Sequence, residues 1–200
     1  RYPGNKVGWA DERGKVSVWI EDESWNVKVG NIEIPVRFHF NSNHLTSLQS
    51  PLLGLGWRFP LLESNIQLVD ENTVLLSDIS GTPVYLSRSG NKFVSGDRSW
   101  GGQLNGDKVF VEHDGCSFTC EKGRLEKLSL QNAPPLIWRY GERFVEVSSN
   151  GRILLSLTLN QDGNASDLIL VGGNDFRFDY EDSPVFIFED GAVVISDLVI

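Results

Sequence analysis

Turn residues punctuate this chain so densely that long helices have nowhere to sit. It holds 20 Gly and 8 Pro, spread evenly along its length. The longest stretch free of both runs from Leu61 to Ser80, and Asp70-Glu71-Asn72 breaks it with a turn signal of its own. Between the breaks, apolar residues alternate. Ile32, Ile34, Val36, Phe38 and Phe40 stand at every second position, with Glu33, Pro35, Arg37 and His39 between them. A period of two marks a half-buried strand. Pro35 has no backbone donor, which places it at a sheet edge or a non-bonded position. Trp25, Val27 and Val29 alternate in the same way, and Gly30-Asn31 between the two runs predicts a two-residue hairpin turn. Short apolar runs recur at 74–76, 84–86, 109–111, 144–147 and 185–188. Turn pairs such as Gly90-Asn91, Asp114-Gly115, Asn150-Gly151 and Asp190-Gly191 separate them. The expected fold is all-β: an antiparallel meander of short hairpins, stacked as β-repeats in an open spiral or shell-like sheet. A short helical turn is expected only around His44–Leu48.

The C-terminal part repeats. When residues 121–160 are laid over 161–200, Gly123 meets Gly163, Tyr140 meets Tyr180 and Gly151 meets Gly191. Leu128, Leu130, Val145 and Ser156 also meet their own kind, and Trp138 faces Phe178. The matches fall on turn glycines and alternating apolar positions, where a structural repeat places them. The chain therefore reads as an entry region, 1–115, followed by two hairpin units within 116–200, in one continuous sheet. Such units bury their faces by stacking on neighbours. The apolar run that reaches Ile200 and the opening Arg1 both lead us to expect a piece of a longer polypeptide.

Composition sets limits on function. The formal net charge of -9, from 18 Lys and Arg against 27 Asp and Glu, argues against a general nucleic-acid binder. No apolar run approaches the ~20 residues of a membrane helix. Cys116 and Cys120 would lie about 13 Å apart along a strand rising ~3.3 Å per residue, too far to bridge, and are expected as small core residues. No zinc-ligand spacing, nucleophile elbow or phosphate loop is present. Asp162-Gly-Asn164-Ala-Ser166 starts like a calcium loop but lacks the later glycine and acid, and is expected to be a hairpin turn. His39 is expected on the polar side of its strand, and adjacent residues of Glu112-His113-Asp114 point to opposite faces of a strand, which argues against a catalytic dyad there. The carboxylates cluster at turns, so a hydrolase pair is a weak third reading. The expectation is a protein without catalytic residues, cofactor or metal.

Of the six tryptophans, Trp138 is expected in the core because Phe178 fills its repeat position. Trp100 precedes Gly101-Gly102 in a polar stretch and is the best candidate for an exposed carbohydrate platform. A carbohydrate-binding β domain is therefore the alternative function.

Residues Ser50–Ser64 are the most distinctive segment. Gly54, Gly56 and Trp57 form a Gly-x-Gly-Trp turn after the alternating strand and Asn41-Ser42. With Cys116–Leu125 and Phe176-Arg-Phe-Asp-Tyr180 downstream, this resembles the opening region of RHS/YD-repeat proteins. The Tyr-Asp dipeptide of those repeats is replaced here, since Tyr140 precedes Gly141 and Tyr180 precedes Glu181. The family's self-cleaving C-terminal core motif is also absent from this chain. The resemblance implies the entry end of a β-spiral wall in a secreted or cell-surface protein, bacterial in origin. Its partners would be the rest of its own polypeptide and an encapsulated effector segment. The implied structural residues are Gly54, Gly56, Trp57, Gly123, Tyr140, Gly163 and Tyr180.

Overall fold

The computed structural model describes residues 5–10, 16–42, 52–180 and 185–195. The turn expected at His44–Leu48 lies outside them. Among the described residues the architecture is all-β and antiparallel throughout. The described residues include no helix long and apolar enough to cross a membrane.

The chain opens with a four-stranded sheet: β1 (Asn5–Ala10), β2 (Val16–Val29), β3 (Ile32–Asn41) and β4 (Trp57–Arg58), in that order. Gly30 and Asn31 make the expected turn, which sets the register Val29↔Ile32 and Val27↔Ile34. The alternating residues then share one face, and Val27, Val29, Ile34, Val36, Phe38 and Phe40 are all buried. The ladder between β2 and β3 breaks between Glu21 and Asn26 and resumes at Asn26↔Pro35. Pro35 thus stands beside an irregularity, where its missing donor costs least. On the other side of β3, β4 pairs with it at His39 and Phe40, and the Asn41 N–H donates to the Gly56 carbonyl at 2.9 Å.

A second sheet holds the remaining strands. Its first part comprises β5 (Asn65–Asp70), β6 (Thr73–Ser77), β7 (Pro83–Ser89), β8 (Lys92–Ser95), β9 (Trp100–Asn105), β10 (Lys108–His113), β11 (Cys116–Glu121) and β12 (Arg124–Ser129). These eight form a meander in which β12 pairs both with β11 and with β5, closing a barrel. Closure removes the edges that an open sheet exposes. One in-register row, Phe93–Gly102–Val111–Phe118–Leu128, crosses five strands on the inner face. At Gly102 a Cβ would lie 2.6 Å from the Phe110 carbonyl oxygen, so the row closes only with a glycine there.

The sheet then leaves the barrel through β12 and continues as β13 (Leu136–Tyr140), β14 (Phe144–Ser149), β15 (Arg152–Leu159), β16 (Ala165–Leu170), β17 (Asp175–Tyr180), β18 (Val185–Glu189) and β19 (Ala192–Ile195). The 40-residue equivalence seen in the sequence holds in the pairing. Tyr140↔Val145 corresponds to Tyr180↔Val185, and Trp138↔Val147 to Phe178↔Ile187. A register shift follows Val147 in one unit and Ile187 in the other. The left-handed turn pair Asn150-Gly151 recurs as Asp190-Gly191.

The first sheet covers the apolar face of these repeat strands. Trp25 meets Phe176 edge-on at 5.0 Å between ring centroids. Phe38 makes the same type of contact with Phe176 at 5.7 Å, Phe178 at 5.6 Å and Phe59 at 5.0 Å. Edge-to-face packing places the positive rim of one ring against the negative face of the next.

Candidate functional site

The segment Leu52–Ser64, which contains the Gly-x-Gly-Trp turn and β4, lies across the first strands of both repeat units. At one end, the Ser64 carbonyl accepts the Leu125 N–H at 3.3 Å. At the other, the Leu52 carbonyl accepts the Ala165 N–H at 2.7 Å. Leu125 and Ala165 are the same repeat position, one unit apart. The two ends of one loop therefore supply the same missing partner to each unit. In addition, the Trp138 indole N–H donates to the Leu61 carbonyl at 3.0 Å.

The repeat tyrosines finish the same junction. On one edge, β12 pairs with β5 at Arg124 and with β13 at Lys127 and Leu128, which leaves a fork at Leu125. The Tyr140 hydroxyl reaches into the fork and donates to the Leu125 carbonyl at 2.6 Å. The Tyr180 hydroxyl donates to the Ala165 carbonyl at 2.7 Å and also lies 3.0 Å from the Leu52 carbonyl. A buried carbonyl at a fork needs a donor, and a long side chain with a terminal hydroxyl supplies one. Burial holds both phenols well above the ordinary tyrosine range, so both keep the proton they donate. We expect Tyr140→Phe and Tyr180→Phe each to lower stability by about 1.5 kcal/mol, read as a shift in the urea midpoint at constant slope. Equal losses would support equivalent roles for the two tyrosines, and a negligible loss would remove that reading.

Glu63 fastens the loop on itself. One carboxylate oxygen accepts the Leu52 N–H at 2.8 Å and the other accepts the Phe59 N–H. Desolvation raises its pKa above the ordinary value. The two backbone donors and the field of Arg58 oppose the rise without cancelling it. A raised folded-state pKa means that this carboxyl adds stability below its unfolded value of 4.5, and the addition fades as pH rises through the folded value. The denaturation midpoint of the wild type should therefore fall more steeply upward from about pH 4.5 than that of Glu63→Gln. Parallel pH profiles would refute this.

Each glycine and tryptophan singled out in the sequence has a place. Gly54 and Gly56 carry φ of 91° and 82°, and Trp57 is buried against Phe40. The Gly123 carbonyl accepts the Ile66 N–H at 2.9 Å, where the barrel closes. Gly163 sits in the turn whose Asn160 side chain accepts the Asp162 and Asn164 N–H groups, so the calcium-like run is a hairpin turn. Gly54, Tyr180, Gly163, Gly123 and Tyr140 thus gather around one loop, although they are far apart in the chain.

Other residues differ from their sequence-based expectation. Trp100 is half-buried. Its ring stacks on His113 at 4.0 Å with an interplanar angle of 1°, and Phe118 packs beside it. Trp100 and His113 are register partners across β9 and β10, and that pairing stacks the rings. The exposure expected of Trp100 is not found. His39 is buried rather than on the surface, stacked on Trp19 at 4.0 Å and bonded to the Ser17 hydroxyl at 2.8 Å. The side of β3 expected to be polar is covered at that end, so alternation alone misplaced this residue. Trp25, Trp57 and Trp138 lie in the core. Both cysteines are free thiols, and burial with the nearby Glu126 pushes Cys120 up to about 12. His113 Nδ1 lies 3.0 Å from the Ser99 carbonyl and its Nε2 lies 3.2 Å from Asp114, so its pair with Asp114 forms at a strand end. Among the described residues no cluster of three or more His, Cys, Asp or Glu is arranged to hold a metal.

No known family model matches the chain, and no curated protein matches it. Leu52, Glu63, Ser64 and Asn65 escaped the sequence reading. Backbone carbonyls carry no side-chain signature. The only available signal was an acid, Glu63, directly after the apolar run Phe59–Leu62.

Proposed function

We propose that this chain is a non-catalytic structural scaffold, a length of β-repeat wall from a larger RHS/YD-repeat-like protein that is secreted or displayed at a cell surface. Its role is to enclose or present another segment of the same polypeptide. One observation carries this reading: two units 40 residues apart share their tyrosine bond, their bulge and their turn, and a single loop bonds the same position in each. A chain built to repeat a mechanical joint is suited to extension and enclosure. The Gly-x-Gly-Trp loop is then the starting clamp of the wall.

Limited proteolysis of the parent polypeptide tests this. The segment it encloses should survive protease concentrations that degrade the same segment once excised. Equal cleavage of both forms would overturn the reading. The carbohydrate-binding alternative has less support, because His113 covers one face of the Trp100 ring. Glycan-array binding by this chain, lost in Trp100→Ala, would reverse the preference.

A further inference from the structure

The outer face of the repeat strands carries an apolar strip that the strand pairing does not require. Alternation turns Leu136, Trp138, Val147, Leu155 and Leu168 inward. Ile137, Ile153, Ile169 and Val171 point outward, each between 38% and 60% exposed. Register brings them together. Ile137 pairs with Ser148, and Ser148 pairs with Ile153. One row along, Ile169 pairs with Ser156, and the Val171 N–H donates to the Leu154 carbonyl at 3.0 Å, next to Ile153. The strip crosses β13 to β16, with Ser148 as a hollow between two isoleucines.

The repeat shows that apolar residues are optional at most of these places. One unit away, Ile137 is matched by Arg177, Ile169 by Ser129 and Val171 by Gln131. The same strands therefore fold with polar residues there, and the strip has a cause outside the ladder. Contiguous aliphatic patches on a protein surface commonly mark a binding face. Charge points to the occupant. Lys127 flanks the strip on β12, as the register partner of Ile137, and Asp175 flanks it on β17, as the partner of Ile169. Both are exposed, and neither forms an ion pair among the described residues. Arg139 and Glu146, in the row of Ile169, bond to each other at 2.6 Å and bring no unpaired charge.

We propose that the partner on this face is a second copy of the chain, packed face to face about a two-fold axis that runs along the strands between β14 and β15. That axis lays β12 over β17 and β13 over β16 of the second copy. Lys127 then meets Asp175 of the second copy, and Ile137 lands on its Val171 beside Ile169. Ile153 settles over the Ser148 hollow. Every contact is made twice, as a two-fold interface requires of a self-complementary surface. Face-to-face sheets keep their strand directions within about 30°, which this axis allows. Six strands about 4.8 Å apart and about 20 Å long give a face of roughly 500 Å² on each copy, at the small end of specific interfaces. The expected dissociation constant is about 10–100 µM. The surface does not depend on the scaffold reading.

The test is sedimentation of this chain from about 1 µM to about 1 mM in about 0.15 M salt, which screens the repulsion between two copies of net charge -9. The weight-average mass should rise from monomer to dimer and stop there. Ile137→Arg and Ile169→Ser each install the residue that the other unit carries, so both variants should fold, with unchanged far-UV circular dichroism. Each should weaken dimerisation at least about tenfold. Lys127→Asp and Asp175→Lys should each weaken it as well, because like charges then face each other. An equimolar mixture of those two variants should dimerise at least as tightly as the wild type, since one copy now carries both acids and the other both lysines. That rescue reads the orientation of the two sheets. The proposal is overturned by a chain that stays monomeric throughout, which leaves the face to a different partner. It is overturned equally by assembly beyond a dimer, by a folded Ile137→Arg that dimerises unchanged, or by a mixture no tighter than its components.

Discussion

Gly56→Ala is expected to destabilise the protein by about 3 kcal/mol, while Gly163→Ala costs about 1 kcal/mol. The two glycines have nearly the same φ, 82° and 83°. They differ in their surroundings. A Cβ on Gly56 would lie 2.5 Å from Phe40 Cε2, whereas a Cβ on Gly163 meets nothing within 4 Å. The shared left-handed strain should thus appear in both variants, and the collision only in the first. Phe40 cannot simply swing aside, because it is 3% exposed and packs against Trp57 at 5.4 Å. Chemical denaturation of both variants checks this directly. Equal losses would mean that the loop yields and that the turn does not lock Trp57 in place.

Trp25→Phe is expected to cost about 3 kcal/mol, although it keeps an aromatic ring in the core. The indole N–H donates to Glu189 Oε1 at 2.9 Å, across the interface between the first sheet and the repeats. The same oxygen is bonded by the Asn174 amide. Glu189 Oε2 has no partner, so this buried side chain depends on few donors. Removing the indole N–H takes away one of them and leaves a gap against Phe176. In a Glu189→Gln background the same Trp25→Phe change should cost only about 1 kcal/mol, because a neutral acceptor loses less. The double-mutant cycle reads the difference as a coupling of about 2 kcal/mol. A coupling near zero would show that Trp25 acts through its ring alone.

Much of the fold was legible in the residues because its signals are local. Alternation at Ile32–Phe40 reports which face is buried, and Gly30-Asn31 reports a turn whose geometry sets the register of its two strands. The 40-residue repeat was also visible, because every unit needs its turn glycines and its inward aromatic positions in the same places. Trp138 could be assigned to the core by comparison with Phe178 for that reason. Tyr140 and Tyr180 could be identified as equivalent, but their task could not. A tyrosine hydroxyl aimed at a carbonyl 15 residues back leaves no trace in hydropathy.

What remained hidden depended on non-local contact. Trp100 looked exposed from its polar neighbours, yet it stacks on His113 because β9 and β10 happen to place the two rings opposite each other. His39 looked like a surface residue from its position on an alternating strand, yet Trp19 and Ser17 of β2 cover it. Barrel closure rests on two backbone bonds, from Ile66 to Gly123 and from Leu125 to Ser64, between segments some 60 residues apart. By itself, the amino-acid sequence determined that this protein is an antiparallel all-β meander with a repeating C-terminal half, because strand period and turn chemistry are properties of neighbouring residues. Only the tertiary structure decided that eight strands close into a barrel and that one loop clamps both repeat units. Those features rest on backbone groups and shared space, which are common to every sequence and are assigned only when distant segments meet.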